Sequence, residues 1–235
     1  MSGPHHHPFS FHGARLIARA DGALHWPCQD TLIVADLHLG KPERLARRGG
    51  ALIPPYGDAE TLARLTRALH ETGAVRVIVL GDGFDDPQAR LADDDCTALG
   101  ALTAGREWIW VAGNHDPSGA RNVARFGKQI GKMVLGPLRL RHNAQAGIAA
   151  GVGSEHVISG HFHPAVRLAG RRRPAFLIGT QHLILPAFGA YTGGLDADDP
   201  ALMALVPRGQ AVLTGPRALV VPWPLPAPRA RRRVG

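Results

Sequence analysis

The chain has 235 residues, 45% of them hydrophobic and 20% charged, with a formal net charge of +8; this suits one compact domain and excludes a disordered or collagen-like chain. No apolar run approaches the ~18 to 20 residues needed to span a bilayer, and Met1 to Ser10 carries histidines and prolines in place of a basic stretch followed by an apolar one. A soluble, cytoplasmic protein with no membrane partner is expected.

In chain order, residues 1–10 read as a flexible tail, with His5, His6 and His7 mobile in it. Three apolar runs then end in polar residues: Thr31 to Ala35 before Asp36, Ala74 to Leu80 before Gly81 and Asp82, and Glu107 to Ala112 before Gly113, Asn114 and His115. Their length and Val, Ile, Leu and Trp content predict strands buried on both faces, with Trp108 and Trp110 in the core. Between the first two, Asp58 is placed to cap a helix whose inner stripe is Leu62, Leu65 and Leu69 and which Gly73 ends. Pro87 to Ala104 reads as a second helix carrying the solvated Asp93, Asp94 and Asp95, giving a β-α-β-α-β beginning. After residue 130 short alternating stretches take over: Leu138, Leu140 and His142, Val157 and Ile158, Phe176 to Ile178, and Leu183 to Leu185. The expected fold is α/β, two sheets packed as a β-sandwich and flanked by helices. A single domain over 11–222 is expected, and 223–235, with Arg229, Arg231, Arg232 and Arg233, reads as a disordered tail.

The strand ends carry the chemistry. Asp36 and His38 are two apart, so in extended chain both side chains leave on one side. Asp82 follows the second strand, Asn114 and His115 the third, His142 extends an alternating stretch, and His161 and His163 stand in Gly160-His161-Phe162-His163. Carboxylate, imidazole and amide oxygen are donors for Mn, Fe or Zn, and strand ends are where α/β folds form their ligand crevice. A lone histidine is usually a core or surface group, which is the reading for His12, His25, His70, His156 and His182. Cys28 and Cys96 are distant and form no metal-spaced pair, which fits a reducing compartment.

The ordered set D-x-H, G-D-x-x-D, G-N-H-D, H, G-H-x-H over roughly residues 31 to 165 resembles the calcineurin-like binuclear metallophosphoesterases. Ala35-Asp36-Leu37-His38-Leu39-Gly40-Lys41, Ile53-Pro54-Pro55-Tyr56 and Leu185-Pro186-Ala187-Phe188-Gly189-Ala190-Tyr191-Thr192-Gly193-Gly194 look like the bacterial DNA ligase-associated branch. The resemblance implies one metal on Asp36, His38, Asp82 and His163 and a second on Asp82, Asn114, His142 and His161, with Asp82 bridging. Such a pair of divalent ions, most simply Mn²⁺ with Fe or Zn as alternatives, lies close enough to need an anion between them and activates a water for attack on phosphorus. His115 is implied to face the phosphate and protonate the leaving oxygen, with Asp85 and Asp116 as its orienting carboxylates. The implied activity is DNA phosphodiester hydrolysis on single strands or ends in repair, in functional association with a DNA ligase and a helicase. Asp85 stands where that branch carries histidine and resembles the phosphomonoesterase branch, which makes a phosphomonoesterase or small-nucleotide hydrolase the alternative.

Substrate contacts are expected from arginine. Of 27 basic residues only Lys41, Lys128 and Lys132 are lysines; arginine grips phosphate with two prongs, although coding bias gives the same excess. Arg171, Arg172 and Arg173 form a charge run, read as a solvated turn or a phosphate contact. Tyr56, beside two prolines, reads equally as core or as a base-stacking ring.

Overall fold

The computed structural model describes residues 6–50, 53–54, 56–115, 121–144 and 155–226. Among these, one sheet is built from β1 (His7–Phe11), β2 (Ala14–Ala18), β3 (Leu24–Trp26), β4 (Thr31–Val34), β5 (Arg76–Leu80), β6 (Glu107–Val111) and β7 (Lys128–Ile130), in that spatial order. Strands β1 to β4 form an antiparallel meander, and β4 to β7 run parallel. The connections between parallel strands carry α1 (Lys41–Arg47), α2 (Gly57–Thr72), α3 (Asp93–Thr103) and α4 (Arg121–Arg125). The second sheet comprises β8 (Met133–Leu135), β9 (Leu138–Arg141), β10 (Val157–Ser159), β11 (Ala165–Leu168), β12 (Arg171–Ile178), β13 (His182–Ile184), β14 (Gly209–Leu213) and β15 (Leu219–Trp223), with α5 (Pro200–Leu205) before β14.

Strand alternation divides the apolar residues into three layers. Ile33, Ile78 and Ile109 point inward and meet Leu140, Ile158, Phe176 and Leu183 of the second sheet. The residues between them, Leu32, Val34, Val77, Val79, Trp108 and Trp110, pack on Leu62, Leu65, Leu69 and Leu99 of the helices. On the far face of the second sheet, Leu177, Ile184 and Leu213 pack on Leu202 and Leu205 of α5. Two mixed sheets flanked by helices are thus the architecture expected from the sequence.

Four local expectations are corrected. Residues 7–10 are not tail: His7–Phe11 pairs with Ala14–Ala18, and Phe11 is core. At the other end β15 runs to Trp223, which is buried with its indole N–H donating to the Val206 carbonyl at 3.1 Å, so the sandwich passes both expected boundaries. The tail arginines from 229 lie outside the described residues. Asp58 does not cap α2, because Tyr56 holds the cap position; the Asp58 carboxylate instead accepts the Gly40 N–H at 3.0 Å. The second helix starts at Asp93 and not Pro87, since residues before it are spent on a loop in which Phe84 bridges to Leu39.

Candidate metal centre

Every strand-end residue singled out above, where described, reaches one edge of the sandwich. The loops after β4 and β5 run side by side, with Asp36 N–H donating to Gly81 O at 3.2 Å and His38 N–H to Asp82 O at 2.9 Å. Asp36, His38, Asp82, His161 and His163 all have left-handed φ, between 45° and 74°. Five such non-glycine residues at one edge mark stored backbone strain, and strain of this kind gathers at functional sites. The extended geometry expected for the Asp36–His38 pair is therefore not what aligns them; two left-handed residues do so. The flanking glycines are steric requirements. Gly81 (φ 75°) touches the His142 imidazole, which an added Cβ would overlap, and a Cβ on Gly160 would come within 2.7 Å of the Ala35 Cβ while also striking the Asp36 carboxylate.

Two groups of three converge. The donor atoms of Asp36, His38 and His163 lie within 4.8 Å of one another, as do those of Asp82, His142 and His161. Neighbouring atoms set which donor faces inward. His142 Nδ1–H donates to Leu80 O at 3.0 Å and His163 Nδ1–H to Gly193 O at 3.3 Å, leaving each Nε2 with its lone pair towards the centre. Asp85 Oδ1 accepts from His38 Nδ1 at 2.8 Å, which does the same for that ring. His38 Nε2 then faces His163 Nε2 at 3.5 Å, and His142 Nε2 faces His161 Nδ1 at 3.0 Å; facing ring nitrogens need a shared proton or a cation between them. Asp36 is fully buried, and its Oδ1 has no hydrogen-bond partner although Oδ2 accepts the His161 N–H at 2.9 Å. A buried, unsatisfied carboxylate oxygen is costly in isolation and suited to a cation. The donor set fits divalent metal.

Electrostatics agree with this geometry. Burial disfavours charge on His163, but the adjacent Asp36 carboxylate outweighs it and raises the pKa; on His161, burial and the neighbouring His142 together lower it. Burial also works against an ionised Asp85, yet its bonds to His38 and to the Arg44 guanidinium prevail and hold its carboxyl below the usual range.

The other expected residues separate. Asn114 reaches the second group, its Nδ2 lying 3.2 Å from His161 Nδ1. His115 is exposed, its backbone N–H donates to Asp82 Oδ1 at 2.8 Å, and its ring meets the edge of His38 at 5.5 Å between centroids. Asp85 does not orient His115: both its oxygens are taken by His38 and Arg44. Arg44 escaped sequence reading, since the 41 residues separating it from Asp85 leave no local signal. Asp116 lies outside the described residues.

Arg171, Arg172 and Arg173 are not one cluster, because they lie on β12 and alternate in direction. Arg173 is committed to the Thr214 and Arg217 carbonyls at 2.6 and 3.0 Å. Arg172 donates to Gly194 O at 2.7 Å, beside the Gly193 that holds His163, and shares Asp196 with its cross-strand partner Arg167. The pair Arg167 and Arg172 thus meets the chain next to the Gly193 that holds His163. Tyr56 is exposed rather than core.

The sequence model of the calcineurin-like phosphoesterases matches residues 30–138, the stretch that includes Asp36, His38, Asp82, Asn114 and His115. Among solved structures, the chain is similar to the Pseudomonas putida nuclease MPE, with 31% identity, 92% of this chain and 99% of that chain covered, and a TM-score of 0.71. Yfce, a phosphoesterase from E. coli, matches at 15% identity over 81% of this chain and 97% of its own, with a TM-score of 0.45. No curated protein sequence matches.

Proposed function

The chain belongs to the calcineurin-like phosphoesterases, and from that premise we propose that it is a two-metal phosphodiesterase that cuts DNA, at single strands or ends, in repair. The observation that carries the DNA reading is the 31% identity, over nearly the whole of both chains, with a protein described as a nuclease. One ion would be held by Asp36, His38, His163 and Asp82, the other by Asp82, Asn114, His142 and His161, with Asp82 serving both. When bound, two divalent ions, which we take to be Mn²⁺ with Fe or Zn as alternatives, supply concentrated positive charge and an acidified water for in-line attack on phosphorus. The chain's own groups do the rest. Leu80 O, Gly193 O and Asp85 fix three imidazoles so that each offers a lone pair without rotating. His115 is anchored by its backbone to Asp82 while its exposed ring is free to give a proton to the leaving oxygen as the P–O bond breaks. The free Cys28 and Cys96 support a cytoplasmic setting, and association with a ligase and a helicase follows from the resemblance in sequence.

The test is Mn²⁺-dependent turnover of an aryl phosphodiester against the matching monoester, followed by labelled single-stranded and duplex DNA. Diester and single-strand cleavage are expected. Preference for the monoester with DNA left intact would install the alternative, a phosphomonoesterase or small-nucleotide hydrolase, for which Asp85 in place of histidine speaks. In the same assay His115→Ala should lower DNA turnover by roughly 10²- to 10⁴-fold with both metals retained; loss of metal would give His115 a different role.

A further inference from the structure

The chain has two tyrosines, and the fold brings them to one place. Tyr56 is 71% exposed and Tyr191 48%. All four tryptophans are buried, as are most phenylalanines, so exposure of both remaining large rings is a local exception. They are neighbours in space: Gly57, which follows Tyr56, presents its bare Cα to the Tyr191 ring, and a Cβ there would stand 3.1 Å from Cδ2 and 3.5 Å from Cε2.

Tyr191 belongs to a segment laid along the metal edge. Gly189, two residues before it, donates its N–H to the Asp36 carbonyl at 3.1 Å, and Gly193, two residues after it, accepts from His163 Nδ1 at 3.3 Å. Consecutive Cα atoms are 3.8 Å apart, so Tyr191 is within about 8 Å of chain from backbone that touches a ligand residue on either side. The segment is braced from below, where Ala190 N–H donates to Thr61 Oγ1 at 2.9 Å and Arg64 grips the Phe188 carbonyl. Tyr191 itself has a φ of 55°, an unfavourable conformation for a bulky residue that these braces sustain. A fold that buries its tryptophans and most of its phenylalanines, yet holds this ring in a strained pose facing water, is presenting it.

We propose that Tyr191 and Tyr56 form a stacking platform for unpaired bases of a nucleic-acid strand whose phosphates pass the metal edge; this rests on the DNA reading above. The charge pattern fits one strand: Arg172, with Arg167 beside it, meets the same segment at Gly194, three residues beyond Tyr191, so cations and rings share one stretch of chain. A π-face accepts any base, so the platform gives a requirement for bases without a sequence preference.

The experiment compares cleavage by the Mn²⁺-loaded enzyme of a labelled oligothymidylate and an abasic strand of equal length, which keeps the phosphates and lacks the bases. Wild-type enzyme should have a lower KM for the thymidylate. Tyr191→Leu and Tyr56→Leu keep a Cβ and apolar bulk but no aromatic face; each should weaken that preference by about 5- to 150-fold, the range for one lost base stack, and the Phe variants should restore it. A preference unaltered in both Leu variants overturns the platform while leaving the DNA reading intact. Equal loss on both strands overturns it too, since the tyrosines would then support the edge. If wild-type enzyme cleaves neither strand, the DNA reading fails and the platform falls with it.

Discussion

Asp36 and Asp85 are both buried carboxylates, held by opposite means. Asp85 has a donor on each oxygen, whereas Asp36 Oδ1 has none and waits on a cation. The difference separates a candidate ligand from its support and yields a prediction: Asp85→Ala should release the His38 ring and weaken Mn²⁺ binding at that site by about 10- to 100-fold, the usual effect of removing a ligand's hydrogen-bonded partner. The second site should bind as before, so a two-phase Mn²⁺ titration should lose only one phase. Asp85 is one of two carboxylates that the sequence offers to orient His115, the other being Asp116; the loops after β4 and β5 interleave through the Leu39–Phe84 bridge, and Asp85 meets His38 instead. The candidate donors stand at strand ends in one ordered set, Asp36, Asp82 and Asn114 after apolar runs and His142 after an alternating stretch, which the sequence displays; the partner of a side chain 47 residues away left no such sign.

Among the elements, α2 and the entrance to α1 are tied by Asp58, and this link titrates. Burial pushes the Asp58 carboxyl up to about 6, only partly offset by the Gly40 N–H. A folded-state pKa above the unfolded value of about 3.9 means that the proton is held more tightly in the fold. The stabilisation is therefore complete below about pH 4 and is lost as pH rises through about 6, an effect of up to about 3 kcal/mol. Asp58→Asn keeps an acceptor for Gly40 and removes the charge, so its Tm relative to wild type should improve between pH 5 and pH 8; a constant difference would show that Asp58 does not titrate there. The parallel strands and α2 could be read from periodicity, as could the three-layer burial. Strand β1 could not be read so easily, because its His7-Pro8-Phe9-Ser10-Phe11 alternation is masked by histidine and proline, although Phe9 and Phe11 carry the period-two signal. The arginine run misled for the complementary reason: in a strand, adjacency in sequence means opposite faces.

For the molecule as a whole, a net charge of +8 would favour the proposed DNA strand, but the fold decides which arginines are placed to meet it. Arg167 and Arg172 flank the metal edge, while Arg173 is tied to backbone carbonyls of the β14–β15 turn. Each phosphate contact on a single strand contributes a slope of about −0.7 in log affinity against log salt, so replacing Arg167 and Arg172 together with Ala should flatten the plot by up to about 1.4. Arg173→Ala should leave the slope as it is and lower Tm instead. A slope unmoved by the double replacement would place the strand on another face.

Neither group of three donors belongs to one sheet. Asp36 and His38 leave the first sheet, but their partner His163 follows β10 of the second; His142 and His161 leave the second, but their partner Asp82 comes from the first. During synthesis, then, the first half of the chain emerges without a complete group of donors, and neither group closes until residue 161, or 163 for the first, has been made and the sheets have docked. Metal loading would then report completed assembly. An ion held by either group would recognise only the docked state and act as a clasp across the sandwich, adding about 2.7 kcal/mol at a free concentration one hundred times its Kd. Withdrawing metal would loosen the seam between the halves as well as silence the site.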